Sequence, residues 1–257
     1  MFRVEPAMTA APHSREPGRP PRPVRSDLWL FAPNRDNQGG SAWFLEHSDR
    51  DLLIDVPALT EANLAFLQHR PRPGQIVLTG RDGHGRCRAL QEALGWPVLV
   101  QEQEAYLLPG VKGLETFGLE HALAPGLRLL WTPGPSPGAC VLHAFGADAG
   151  AGVVADAGGA DDGADEGGGL FCGRLLVPVA PGRLEPRRSR RTFHWPRQIA
   201  SLRALRAWLP AGTPGWIASG AGLGALRGES LVGSAEALLA DLEKQAEMLL
   251  AQGIDPL

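Results

Sequence analysis

Residues 76–86 read IVLTGRDGHGR. The apolar run Ile76–Leu78, closed by Thr79, is typical of a strand that is buried on both faces. The three glycines that follow, within 80–86, predict that this strand ends in a tight turn. Because turns after buried strands often carry functional residues, this segment predicts a candidate site at the carboxyl end of a buried strand.

Three other turns are equally dense in glycine and proline: Asn34–Ser41, Thr132–Ala139 and Ser219–Gly228. Periodicity predicts strands at Leu28–Phe31, Ser41–Leu45, Leu52–Ile54, Val98–Gln101, Leu127–Trp131, Val141–Phe145, Leu170–Cys172 and Trp216–Ala218. Helices are predicted at 60–69 with Thr60 as N-cap, at 84–94, at 196–209, and after Ser234. Hairpins followed by β-α-β alternation predict a mixed α/β fold in which sheets are sandwiched between helices.

Composition excludes several classes of protein. Of 257 residues, 33 are Gly and 23 are Pro, but no G-x-y period indicates collagen, and the 44% of hydrophobic residues suffice for a core. A net charge of −3 provides no general attraction to nucleic acid or to a membrane surface. Three cysteines without C-x-x-C spacing predict neither a disulfide framework nor structural zinc. No signal peptide or membrane span is apparent, so we expect a cytoplasmic protein.

Three segments depart from this globular pattern. Residues 1–26 are rich in Pro and Arg and predict a disordered tail, which leaves 27–257 as a single domain. Residues 146–169 hold six acids and nine glycines and predict a flexible acidic insert. Arg183–Arg191 holds five arginines and predicts an exposed basic loop, which either binds an anionic partner or faces the insert.

Two motifs resemble known site signatures without meeting their requirements. Gly134–Gly138 reads G-x-S-x-G around Ser136, but Pro137 lacks the N–H that a nucleophile elbow uses for its oxyanion hole. The Ser219–Gly228 turn has neither the spacing nor the lysine of a phosphate-binding loop, although a backbone nest with Arg227 could hold an anion.

Taken in order, the turns resemble motifs of the metallo-β-lactamase superfamily. The matching segments are Asn34–Gly40 before Ala42–Leu45 (its opening hairpin), Leu53–Asp55 ("LID"), Val77–Thr79 (before "THxHxDH"), Trp131–Gly138 ("TPGHTxG"), Phe171–Gly173 ("FTGD") and Ile217–Gly220 ("PGHG"). Segments 101–110 and 192–198 also resemble a branch from photosynthetic lineages. The resemblance implies a four-layer αββα sandwich of two mixed sheets and zinc-assisted hydrolysis by metals bound to His and Asp.

The residues at the family's metal-ligand positions differ from its pattern. They are Gly80, Asp82, His84 and Gly85 in the first motif (His84 takes the last His position if one residue is deleted), then Pro135, Arg174 and Ala221. A permanent arginine charge at the position of the bridging aspartate would repel two divalent cations. The resemblance therefore implies a degenerate metal site, and we expect neither a catalytic residue set nor a cofactor.

Several alternatives remain open for this pocket. Arg81, Arg174 and Arg227 could bind a small anionic ligand without metal, with Asp82, His84, Ser136 and His194 as further candidate ligand-binding residues. Arg174 could instead form a structural ion pair with Asp55 or Asp82. One divalent metal such as zinc could bind Asp82, His84 and a distant His such as His194, although His194 could equally pack among its aromatic neighbours.

The sequence thus predicts a non-hydrolytic protein that binds a small anionic metabolite or a protein partner, without nucleic acid or membrane. A metal-dependent hydrolase with a mononuclear or rebuilt site is the first alternative. A scaffold that docks partners through the basic loop and the acidic insert is the second.

Overall fold

The computed structural model describes residues 16–145 and 168–251. Within them lie fifteen strands and four α-helices, numbered here in chain order. The first sheet contains, in spatial order, β1 (Arg22–Pro23), β2 (Leu28–Leu30), β3 (Trp43–Leu45), β4 (Asp51–Ile54), β5 (Gly74–Leu78), β6 (Val98–Gln101) and β7 (Leu114–Phe117). Each pair of neighbours from β1 to β4 is antiparallel. Each pair of neighbours from β4 to β7 is parallel.

The second sheet is also mixed. Its spatial order is β15 (Val232–Gly233), β14 (Trp216–Ala218), β11 (Gly169–Phe171), β10 (Cys140–Ala144), β9 (Leu127–Trp131) and β8 (Glu120–Ala124). Strands β11 and β14 are parallel, and the other pairs are antiparallel. A separate hairpin is formed by β12 (Val177–Ala180) and β13 (Arg183–Glu185), so the predicted basic loop begins as a strand.

Four helices cover the outer faces of the two sheets: α1 (Glu61–Gln68), α2 (Cys87–Leu94), α3 (Trp195–Trp208) and α4 (Ala235–Ala251). The two faces of strand β5 show how the layers are arranged. Ile76 and Leu78 pack in the cluster that contains residues of α1 and α2, whereas Val77 packs in the cluster between the sheets. A third cluster joins the second sheet to α3 and α4. These layers confirm the predicted αββα architecture.

Helix boundaries follow local chemistry. Thr60 caps α1, as predicted, because its hydroxyl accepts a hydrogen bond from Asn63 N at 3.2 Å. Helix α2 begins at Cys87 rather than at 84, since Arg81–Gly83 forms a separate 3-10 turn. None of the described helices is both long and apolar enough to cross a membrane.

Residues 16–26 differ from the expected disordered tail. The carbonyls of Glu16 and Pro17 accept hydrogen bonds from Glu61 N and Ala62 N at the start of α1, each at 3.0 Å. Strand β1 then extends the first sheet, and Val24 packs against the core between the sheets. Backbone hydrogen bonding holds this segment despite its low apolar content. The rest of the predicted tail, and residues 146–167 of the predicted insert, lie outside the described residues.

Candidate functional site

The carboxyl ends of several strands from both sheets meet at one edge of the sandwich. Asp55 follows β4 and Thr79 follows the parallel strand β5, so the two residues are neighbours. Thr79 donates from its backbone N to Asp55 Oδ1 at 2.8 Å and from its hydroxyl to Oδ2 at 2.7 Å. Burial nevertheless raises the pKa of Asp55 to about 6, because the hydrogen bonds from Thr79 and the charge of Arg174 offset only part of the desolvation.

Asp82 lies on the 3-10 turn after β5, between two arginines. Its Oδ2 lies 3.5 Å from Arg174 Nε, and its Oδ1 lies 3.4 Å from Arg191 Nη1. The turn packs closely because Gly83 has no side chain: a Cβ there would come within 2.1 Å of Asp55 Oδ1. Asp82 thus links the first sheet to the basic loop.

Arg174 projects from the turn after β11, where Gly173 adopts a positive φ of 52°. Its Nη2 donates to the carbonyl of Asn37 at 2.6 Å, and a quarter of its side chain (25%) remains exposed. The ion pair with Asp82 matches one of the structural pairs considered above. Arg174 also lines a cavity.

Ser136 lies in the Thr132–Ala139 turn between β9 and β10. The turn is fixed against the first sheet, since Cys140 N donates to Thr79 O at 2.9 Å and Gly138 N donates to Glu104 Oε1 at 3.0 Å. Ser136 is only 3% exposed, and its hydroxyl has no hydrogen-bond partner among the described residues.

These residues enclose a small cavity, which we call the deep pocket. Its walls include Asp55, Thr79, Gly80, Arg81, Ser136 and Arg174, and its volume is about 20 Å³. A larger cavity of about 520 Å³, which we call the outer cleft, has walls that include Asp82, Pro135, Arg174, Arg187, Arg188 and Arg191. Asp82, Pro135 and Arg174 line both cavities, so the two are adjacent.

His84 faces away from the deep pocket. It lines a separate cavity of about 490 Å³ together with residues of α2 and Leu108. Burial, reinforced by the charge of Arg81, lowers the pKa of His84 to about 4, so the imidazole is neutral at pH 7. Its Nε2 lies 3.8 Å from Oε2 of the buried Glu104, and neither atom has a hydrogen-bond partner among the described residues.

The other two predicted residues also lie apart from the deep pocket. His194 caps α3, with its Nδ1 accepting a hydrogen bond from Arg197 N at 3.2 Å. Arg227 ends a short 3-10 turn in a left-handed conformation, is exposed, and is not among the residues that line either cavity. The structure therefore brings together Arg81, Asp82, Ser136 and Arg174, and separates them from His84, His194 and Arg227.

Sequence reasoning did not assign Arg187, Arg188 and Arg191 to the site. A signal for them is present in the sequence, because the five arginines within Arg183–Arg191 predict a basic loop that could bind an anionic partner. Its position over the pocket depends on the contact between Arg191 and Asp82, which lie 109 positions apart. Glu104, which holds the Ser136 turn, was likewise not singled out.

The described residues do not fit the metal pair that the family resemblance implies. No group of three or more His, Cys, Asp or Glu among them could hold a metal ion. The three residues considered for a single metal have separate partners, since Asp82 pairs with arginines, His84 faces Glu104 and His194 caps a helix. Arg174 also places a fixed positive charge in the deep pocket.

Comparison with solved structures identifies the architecture. A B3 metallo-β-lactamase with an active-site glutamic acid is 18% identical, with a TM-score of 0.59 over 91% of this chain and 89% of that chain. The chain has the metallo-β-lactamase fold. A metallo-β-lactamase superfamily protein from Sulfolobus tokodaii (16% identity, TM-score 0.51, 89% and 86% covered) and TTHA1623 in a di-iron-bound form (23%, 0.52, 79% and 92%) share it.

At these identities the likeness establishes the fold and not an activity. No protein-family model matches the sequence, and no curated protein matches it either.

Proposed function

We propose that this metallo-β-lactamase-fold protein binds a small anionic ligand in the outer cleft and does not hydrolyse it. The observation that carries this proposal is that Arg174 lines both cavities. In the sequence, Arg174 stands where the motif of the resembled family has a metal-bridging aspartate. A guanidinium there supplies positive charge without a metal ion.

The charge balance around the two cavities supports anion binding. Apart from Arg188, which has an interaction of its own, their walls together contain four arginines (81, 174, 187 and 191) and two aspartates (55 and 82). Within the described chain, Asp82 is the one acidic residue lining the outer cleft, and it is shared between Arg174 and Arg191. Guanidinium groups bind carboxylate and phosphate through paired hydrogen bonds, and a volume of about 520 Å³ falls within the range of small-molecule sites.

The available side chains give little support to hydrolysis. Ser136 precedes Pro137, which cannot donate a backbone hydrogen bond to an oxyanion. The nearby imidazole, His84, lies against Glu104 in a different cavity. Among its described lining residues, the outer cleft offers a ligand mainly arginine side chains, and the Ser136 hydroxyl beside it has no hydrogen-bonded base.

Replacement of Arg174 tests the proposal. We expect wild-type protein to bind inorganic pyrophosphate by isothermal titration calorimetry, and Arg174→Gln to bind it at least about 10-fold more weakly, because one charge-assisted contact is lost. Arg183→Gln is the matched control, since Arg183 pairs with Glu185 and is not among the residues lining the outer cleft. Arg187→Gln tests the exposed wall of the cleft without disturbing the pair between Arg174 and Asp82.

Equal binding by wild-type protein, Arg174→Gln and Arg187→Gln would contradict the proposal. A protein partner, the other occupant considered from the sequence, would use the exposed arginines of the same loop. In that case Arg187→Gln would lose binding of the protein partner, and pyrophosphate would bind neither to the wild-type protein nor to the variants.

One observation favours the alternative of a metal-dependent hydrolase. His84 Nε2 and Glu104 Oε2 are buried 3.8 Å apart without hydrogen-bond partners among the described residues, so they are two potential donors to one ion. Metal analysis of protein purified without chelator separates the two functions. Stoichiometric zinc, iron or manganese that is lost in His84→Ala would favour the hydrolase.

A further inference from the structure

The deep pocket and the outer cleft accept groups of different size. A cavity needs about 10–15 Å³ to hold one water molecule. With about 20 Å³, the deep pocket has room for one small group such as a hydroxyl. A tetrahedral anion such as phosphate has five heavy atoms and therefore fits only the outer cleft, with its 520 Å³.

The two cavities also differ in charge. In the deep pocket, Arg81 and Arg174 are balanced by Asp55 and Asp82, so a second anionic group gains little there. In the outer cleft, Arg187 and Arg191 join Arg174 on the walls, and Asp82 is the acidic residue among the described lining residues. A ligand that matches both cavities has a strongly anionic end and an uncharged polar end.

Ser136 provides the contact for the uncharged end. Its hydroxyl is buried, lines the deep pocket and has no hydrogen-bond partner among the described residues. A buried hydroxyl without a partner loses the hydrogen bonds that it made with water, so a ligand group that pairs with it is favoured. Gly80 keeps this space open, because a Cβ at that position would lie 3.1 Å from Ser136 Oγ.

We propose that the ligand is a phosphorylated polyol or sugar, with its phosphate against Arg174, Arg187 and Arg191 and a hydroxyl hydrogen-bonded to Ser136 in the deep pocket. This assignment rests on the proposed function, since it requires that the outer cleft bind an anion. It adds the chemical class of the ligand and gives Ser136 the role of a specificity determinant.

A ligand series tests the assignment. Dissociation constants are measured by calorimetry for inorganic phosphate, glycerol 3-phosphate and phosphoglycolate, which replaces the hydroxyl end by a carboxylate. We expect glycerol 3-phosphate to bind about 3- to 10-fold more tightly than phosphate, as one hydrogen bond allows, and phosphoglycolate to show no such gain. Ser136→Ala should abolish the preference for glycerol 3-phosphate while leaving phosphate binding within about 2-fold.

Gly80→Ala gives an independent check by filling the deep pocket instead of removing the hydroxyl. The backbone φ of Gly80 is 160°, an extended value that alanine adopts readily. We expect this variant also to lose the preference and to keep phosphate binding.

The outcomes separate the two proposals. If phosphate binds but glycerol 3-phosphate binds no better, or if Ser136→Ala and Gly80→Ala retain the preference, the phosphorylated polyol is wrong while the anion site stands. If neither phosphate nor glycerol 3-phosphate binds, and pyrophosphate fails as well, the proposed function itself is wrong.

Discussion

At the scale of single residues, Asp55 and His84 respond to pH in opposite directions. Asp55 has a pKa of about 6 in the folded protein against an ordinary value of 3.8, so the unfolded chain releases its proton first as pH rises. Folded stability therefore falls between about pH 4 and pH 6 through this group. The pKa of His84 is lowered to about 4 from its ordinary value of 6.5. Through this group, folded stability therefore increases as pH rises from about 4 to 6.5.

Asp55 and His84 change folded stability in opposite directions as pH rises. A comparison of the wild-type protein with Asp55→Asn isolates the effect of Asp55. Asp55→Asn cannot ionise and replaces one of the two oxygens that accept from Thr79 by an NH2 group, so we expect it to be less stable than wild type at pH 4. The gap in free energy of unfolding should narrow by up to about 3 kcal/mol by pH 7, because a two-unit pKa shift corresponds to that amount.

Urea unfolding of both proteins at pH 4, 5, 6 and 7 measures this gap. Glu92→Gln, on an exposed position of α2, controls for loss of a carboxylate at the surface. A gap between wild type and Asp55→Asn that stays constant or widens with pH would show that the pKa of Asp55 is not raised in the folded protein.

At the scale of elements, strands with a continuous apolar run could be predicted from the sequence, and strands with polar or exposed positions could not. Strand β5 was clear from its sequence because both of its faces are buried. Strands β7, β8 and β13 were missed, since each has exposed or half-buried positions and no continuous apolar run. Residues 16–26 were expected to be disordered for the same reason, although their backbone groups pair with α1 and β2.

Two truncations test the role of residues 16–26. A chain that starts at Glu16 is compared with one that starts at Asp27, so that only this segment differs. We expect the shorter chain to melt several degrees lower, because it loses two backbone hydrogen bonds to α1, strand β1 and the packing of Val24. Equal melting temperatures would mean that the segment contributes nothing to stability.

At the scale of the whole molecule, the αββα order could be predicted because the turn segments resemble, in the same order along the chain, motifs of the metallo-β-lactamase superfamily. The site could be predicted only in part. Gly80, Pro135 and Arg174 indicated that metal ligands were replaced, but the outer cleft is formed by contacts between distant segments, such as Asp82 with Arg191. Phe145, just before the predicted insert, and Gly168, within it, lie at the ends of β10 and β11 remote from the pocket.

The central claim is that guanidinium charge replaces metal charge in this fold. The most direct test is a calorimetric titration of inorganic pyrophosphate into protein that has been treated with chelator and shown to be metal-free. We predict saturable binding near one molecule per chain, unchanged when zinc is added, with pyrophosphate recovered intact. Binding or hydrolysis that appears only after zinc is restored would contradict the claim.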